Sequence, residues 1–245
     1  MRWFCIWFAV GFCLSSSPPA EAQGEVRLRW YGHSFFLLTS AAGVRVAIDP
    51  FGRIGYPLPR VGADVVALSH EHSDHNNAAL IGGNPRVLRG LAPGGSWAKV
   101  DFTRKDVRIR SLPGFHDEAG GSKRGRNGIL LLEVSGLRIA HLSDIGAIPD
   151  EEVLRTLEGL DVLLVPVGGY FSIDGPQAAD LVRRLRPRVA IPHHYKTPAT
   201  ADWPIADERA FLARFPRARR LGVSELRLEA GRLPAPTEVW VMDYR

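Results

Sequence analysis

The sequence predicts a four-layer α/β protein, an αββα sandwich. Three observations lead there. Short apolar or alternating runs, spaced by Gly turns, dominate the first half. In the second half, helical stripes alternate with continuous apolar runs. Finally, GADVVALSHEH (62–72) and GLDVLLVPVGG (159–169) echo one another, each with a Gly-x-Asp entry, an apolar run and a loop. Such an echo suits two sheet halves packed face to face with helices outside.

The elements follow in order. Strands are expected over Val26 to Tyr31, Phe35 to Thr39 and Val44 to Ile48, with turns at Gly32 and Gly43. Asp64 to Ser69 is apolar throughout, the pattern of a strand buried on both faces. Val107 to Leu112 alternates. Ile129 to Val134 and Leu137 to Leu142 flank Ser135-Gly136, a two-residue hairpin signal. A helix is expected over Asp150 to Leu160, with Val153, Leu154, Leu157 and Leu160 on one face. A second runs from Asp174 to Arg186 behind a capping Asp and Pro176. A short one covers Asp207 to Phe215. Buried strands are expected at Asp161 to Val165 and Arg188 to Ile191, and tail strands at Glu225 to Leu228 and Glu238 to Met242.

The composition is that of a soluble globular chain, with 45% hydrophobic and 23% charged residues among 245. The net charge of +5 is a mild excess. It fits an arginine-rich composition better than a polyanion-binding surface. At the N-terminus, Arg2 precedes an apolar run from Trp3 to Leu14, and Ala20-Glu21-Ala22 offers a small-x-small cleavage pattern. Residues 1–22 therefore read as a secretory signal peptide and 23–245 as one catalytic domain. This implies export to a periplasmic or extracellular space, without stable membrane insertion afterwards. Cys13 does not make a lipoprotein anchor, because bulky Phe12 occupies the place where a small residue is needed. Both cysteines, Cys5 and Cys13, fall in the leader. The mature chain then lacks disulfides, thiol nucleophiles and Cys-based zinc sites.

Chemistry concentrates in the histidines. His33, the group His70, His72 and His75, then His116, His141 and the pair His193 and His194 mostly follow apolar strands. Strand ends are where α/β sheets build sites. His70-Glu71-His72-Ser73-Asp74-His75 puts three imidazoles and a carboxylate within six residues. These are the N and O donors that divalent cations such as zinc prefer. The alternative is a polar loop capping a helix from about Asn76, which would leave four ligand-type side chains crowded together. Asp144 in HLSDIG follows a strand and suits either a metal bridge or a turn cap. In IPHHYKT, either His193 or His194 suits a ligand position. The loop Asp117 to Asn127 is Gly-rich and basic, and Lys123, Arg124 and Arg126 there suit either an anion-recognising lid or a solvated hairpin loop.

HEHSDH after an apolar strand resembles the His-x-His-x-Asp-His signature of the metallo-β-lactamase superfamily. The resemblance runs from about Arg29 to Thr197. WYGHSFFLL, VAIDP, HLSDIG, VPVGGYFSID and IPHHYKT are similar to blocks of the branch that includes ascorbate-6-phosphate lactonase. The resemblance implies two divalent cations, zinc first and manganese second. His70, His72 and His116 would hold one, Asp74, His75 and His194 the other, and Asp144 would bridge them. It also implies a shared hydroxide attacking a lactone, ester or phosphoester, with Asp74 in the catalytic centre. His193 replaces the branch's usual Met and stands either as a substrate-facing group or as one that supports a ligand from behind; His193 and Tyr195 are also candidate proton donors, and Tyr195 a substrate-binding candidate. Asp49 and His33 would orient ligands from behind. His72 stands where di-iron members carry a carboxylate, which favours redox-inert metal. The expected partner is a small molecule, with an anionic group one option, rather than nucleic acid. A true β-lactamase and a non-catalytic metal-binding protein are the rival readings.

Overall fold

The computed structural model describes Met1 and residues 24–245, so the signal-peptide reading of residues 1–22 lies outside the described residues. The strands are β1 (Val26–Trp30), β2 (Phe36–Thr39), β3 (Arg45–Ile48), β4 (Val65–Leu68), β5 (Arg86–Arg89), β6 (Asp101–Arg104) and β7 (Val107–Phe115). They continue as β8 (Arg126–Val134), β9 (Leu137–His141), β10 (Val162–Pro166), β11 (Val189–His193), β12 (Arg219–Arg220), β13 (Glu225–Leu228) and β14 (Glu238–Val241). They form a six-stranded sheet, β13-β1-β2-β3-β4-β5, and an eight-stranded sheet, β12-β14-β11-β10-β9-β8-β7-β6.

Alternation along the strands makes the sandwich. In β4, Val65 and Ala67 face the core shared with the second sheet, while Val66 and Leu68 face a smaller outer cluster with Phe35, Phe51 and Tyr56. β10 is buried at every position, because α2 packs on its outer side. The helices are α1 (Glu151–Thr156), α2 (Gly175–Leu185) and α3 (Arg209–Leu212). Asp150 caps α1 by accepting from the Val153 N–H at 3.0 Å. Asp174 and Gln177 form a reciprocal capping box on α2. The hairpin at Ser135-Gly136 forms as expected, with both residues at positive φ.

The outer layer over the first sheet differs from a regular sandwich. Among the described residues no α-helix covers it; a loop through Phe51 and Tyr56 and a one-turn 3₁₀ helix, Ala78–Leu80, do so instead. The stretch FGRIGYPLPRVGA, residues 51–63, is too rich in Gly and Pro for a helix. The alternative helix from Asn76 shrinks to that single turn. β5 and β6 had no sequence signal, because these flanking strands bury only Leu88 between them.

The topology positions the site. β3, β4 and β5 run parallel, as do β9, β10, β11 and β14. Strands running together deliver their following loops to one edge. Asp49, His70, Asp144 and His194 all lie just beyond such ends.

Candidate metal centre

Each functional turn is bent more sharply than its residue type favours. His33, Asp49, Ser143 and His194 all adopt positive φ, between 45° and 52°. For non-glycine residues this conformation costs about 1–3 kcal/mol each and persists only where the surroundings impose it. Glycines supply the close approaches. A Cβ on Gly146 would sit 2.4 Å from the His116 carbonyl oxygen, and one on Gly168 would sit 2.3 Å from that of His194. The HEHSDH loop is pinned by the His75 N–H donating to the His72 carbonyl at 2.9 Å and the Asn77 N–H to Pro50 at 2.9 Å.

Two groups of ligand-type atoms result. His70, His72 and His116 form one, and His33, Asp74, His75, Asp144 and His194 the other, with donor atoms in each lying within 4.8 Å of one another. Asp144 joins them: its Oδ2 lies 2.9 Å from His75 Nε2, 3.1 Å from His194 Nε2 and 3.6 Å from His116 Nε2. The sequence-derived residues thus meet in one place, although they come from both sheets.

Proton positions follow from the hydrogen bonds. Asp49 is fully buried; its Oδ1 accepts from the Ser69 N–H at 2.7 Å, and its Oδ2 from the Ser69 and Ser143 hydroxyls at 2.6 and 2.7 Å. The same Oδ2 accepts from His75 Nδ1 at 3.1 Å, so the proton that a cation would displace from His75 is the one on Nε2, facing Asp144. Ser69 has spent its one hydrogen on Asp49. It therefore accepts from His70 Nδ1 at 2.9 Å, and His70 Nε2 is a lone pair. One carboxylate thereby fixes an imidazole in each group. His33 Nε2 donates to Asp74 Oδ2 at 3.1 Å.

Several buried atoms at the centre lack any hydrogen-bond partner: Nε2 of His70 and His75, Nδ1 of His116, both ring nitrogens of His194, and Asp144 Oδ1. His75 Nε2 and Asp144 Oδ2 approach closely yet are not aligned as donor and acceptor. Orphaned polar atoms in a protein interior are expensive. Lone pairs converging on common points are the arrangement a cation satisfies, so the residues fit divalent metal.

The electrostatics agree. Burial alone would raise the Asp144 carboxyl, but the His194 and His75 imidazoles outweigh it and hold it well below the ordinary range. Burial likewise opposes ionisation of Asp74, and His75 and His33 overcome it. For Asp49, burial is again outweighed, chiefly by His75, and the value falls to about 2. His33 is pushed down to about 4 by burial and by the neighbouring His194.

A cleft of about 510 Å³ opens over the centre, lined by His72, Asp74, His116, Asp144, Lys123, Arg124, Phe171 and Trp203 among others. A second cavity of about 840 Å³ adjoins it on the His70 side and includes Arg89, Arg124 and Arg126. The basic loop therefore does border the centre. It is not free: the Asp117 carboxylate accepts from the backbone N–H groups of Ala119, Gly121, Lys123 and Arg124 at 2.7–3.1 Å. Phe171 and Trp203 carried no sequence signal as cleft walls.

Two expectations need correcting. His193 is fully buried, with Nδ1 against the Ser34 hydroxyl at 3.3 Å and its ring stacked on His141 at 4.8 Å. It borders neither cavity, and its place is behind the centre, next to the ligand-type His194. Tyr195 packs on Trp30 at 5.6 Å and lines a separate pocket with Lys196 and Glu208. Burial raises its phenol above the ordinary range.

A protein of this two-sheet fold with a His/Asp cluster able to hold metal belongs to a recognisable class. Residues 27–194 match the Beta-lactamase superfamily domain, and the chain belongs to that family. It is 32% identical over 195 residues to a UPF0173 protein of Pyrococcus furiosus, covering 72% of this chain and 87% of the relative. It is 29% identical over 226 residues to a UPF0173 metal-dependent hydrolase of Anaeromyxobacter sp. strain K, covering 77% and 82%. Among solved structures, a Thermotoga maritima protein assigned to the Zn-dependent hydrolases of the metallo-β-lactamase superfamily superposes with a TM-score of 0.70 at 31% identity, covering 89% of this chain and 98% of that one. The chain is a metal-dependent hydrolase of this superfamily.

Proposed function

We propose that the enzyme holds two divalent cations and hydrolyses a lactone, ester or phosphoester in a small molecule. The observation that carries this reading is the division of the ligand-type side chains into two groups that share Asp144. His70, His72 and His116 would hold one cation and Asp74, His75 and His194 the other, with Asp144 between. Zinc is the first choice and manganese the second, because the donor set is nitrogen-rich and His72 stands in place of a carboxylate. The T. maritima protein assigned to the Zn-dependent hydrolases supports the same choice. Bound cations supply Lewis acidity, polarising the substrate's oxygen and lowering the pKa of water.

The chain's own residues do the rest. Asp49 and Ser69 hold His75 and His70 in the tautomers that present Nε2. His33 donates to Asp74 Oδ2 and holds the carboxylate at the cleft wall, where it would accept a hydrogen bond from entering water and orient it. Phe171 and Trp203 wall the cleft and exclude bulk solvent from one side.

Metal analysis of the purified protein, combined with a panel of lactones, esters, phosphodiesters and nitrocefin, tests this reading. Two cations per chain and EDTA-sensitive turnover of an ester, lactone or phosphoester are expected. One cation per chain would overturn the dinuclear arrangement, and turnover of nitrocefin alone would make the enzyme a β-lactamase. Export is proposed as well, on the strength of Arg2, the apolar run to Leu14 and Ala20-Glu21-Ala22. Protein recovered from a periplasmic fraction should begin at Gln23; a full-length chain retained in the cytosol would refute this.

A further inference from the structure

Three cations surround the cleft in one short loop, but they are not equivalent. Lys123 is exposed and its Nζ is 2.5 Å from Glu118 Oε1. Arg126 is exposed too; it donates to the Gly95 carbonyl at 3.2 Å and lies over Trp97, 4.9 Å from the ring centre. Both are already engaged by these partners, although Lys123 lines the cleft and Arg126 the adjoining cavity.

Arg124 is different in four respects. It is half-buried. Among the described residues no carboxylate pairs with its guanidinium. It borders both cavities, as does His72, so it stands where the two open into one another beside the centre. And it is held in place: its backbone N–H donates to Asp117 at 2.7 Å, and its guanidinium lies over Phe171 and Tyr170, 5.5 and 5.6 Å from the ring centres. Aromatic faces orient a guanidinium without neutralising it. Tyr170 reaches this position through a positive φ of 58° and stays exposed. A partly buried cation that is pre-oriented and left without a counter-ion is set to receive an anion.

We propose that Arg124 is the substrate's anion anchor. The substrate class that follows is a small ester, lactone or phosphoester with a carboxylate or phosphate group near the scissile bond. Its flat or apolar body lies against Phe171 and Trp203. This rests on the hydrolase reading above and adds to it a direction of binding, with the anion toward Arg124 and the apolar part toward Trp203. Lys123 and Arg126 contribute general positive potential only.

Two matched pairs test the assignment. The first is the mono-p-nitrophenyl ester of glutaric acid and its neutral methyl ester, which share one scissile bond and differ by one charge. Wild-type enzyme should show the lower KM for the anionic member. Arg124→Ala should raise that KM roughly 10- to 100-fold, the range for losing a hydrogen bond to a charged group, with kcat and the neutral ester's KM little changed. Arg124→Lys should restore part of the difference, and Arg126→Ala should shift it less. The second pair is glutaranilic acid and its methyl ester, titrated calorimetrically into the metal-loaded enzyme. Neither is activated for hydrolysis, so the anionic preference is read without turnover. Loss of preference in Arg124→Ala, by KM or by calorimetry, supports the anchor. Retained preference in that variant, an equal loss from Arg126→Ala, or no rescue by Lys would overturn it. Failure of the hydrolase reading shows separately, as absent turnover of both esters with the calorimetric preference intact.

Discussion

The two halves of the centre are built to different plans. The group of His70, His72 and His116 is all imidazole, and His72 is exposed. The group of Asp74, His75 and His194 carries a carboxylate and is backed by His33, with His75 and His194 fully buried. The first half is neutral in its own ligands and faces arginines; the second is anionic and, apart from Asp74 at the cleft, buried. On the proposed assignment, a cation on the open side would have room for substrate, and one on the buried side would be more firmly held. Asp144 and Asp49 are what the two plans have in common.

Breaking the shared element should have the largest effect. Asp144→Asn removes the charge that both halves use, and kcat/KM should fall on the order of 10³-fold, with fewer cations retained on dialysis. Asp49→Asn comes next. Because Asp49 holds His75 directly and His70 through Ser69, metal affinity should drop about 10- to 100-fold at both sites, read by competition with a chromophoric chelator. Weakening of one site alone would show that the Ser69 relay does not reach His70.

The asymmetry itself is tested by His75→Ala against His72→Ala in EDTA-treated protein. The first removes one of the four donors to buried Asp49 and should cost about 1.5–3 kcal/mol in urea denaturation. The second alters an exposed side chain and should stay within about 0.5 kcal/mol.

A smaller effect concerns acid. His33, His70, His116, His141 and His193 are all pushed below the ordinary imidazole value, chiefly by burial, with His33 at about 4. His75 moves the other way: burial opposes its charge, but Asp144 and Asp74 outweigh it. A depressed histidine stays neutral in the fold while the unfolded chain takes up a proton. Stability is therefore full above pH ~6.5 and declines toward pH ~4, and five such groups outnumber one opposed. The urea midpoint of metal-free protein should fall between pH 7 and 5; a flat profile would contradict this. The smallest effect is expected from His193→Met, which removes no part of the centre. Unchanged kinetics and a stability change below about 1.5 kcal/mol are expected.

Much of this was legible in the sequence because metal-ligand residue types followed buried runs. β4 and β10 are apolar at every position, and the HEHSDH and HLSDIG turns come straight after β4 and β9. What was hidden depends on three-dimensional neighbours. Ser69, Ser143 and Asn127 are ordinary turn and strand residues until Asp49, His70 and Asp144 come to rest beside them. Phe171 and Trp203 read as loop aromatics. His193 and His194 part company at the end of β11: His193 closes the strand against Ser34 and His141, and the positive φ of His194 just beyond it turns that imidazole toward Asp144. The loop of residues 117–127 read equally as a mobile lid or a solvated turn, and a single buried Asp117 ties it down.

The centre draws on both sheets, and His194 arrives last. On the proposed assignment neither cation would have its full set of protein donors until the second sheet docks on the first: one waits for His116 and Asp144, the other for Asp144 and His194. Metal uptake would then be a late step of maturation, after the sheets have closed. Cation identity is decided less by selectivity of the finished site than by which ions the compartment offers at the moment the sheets close.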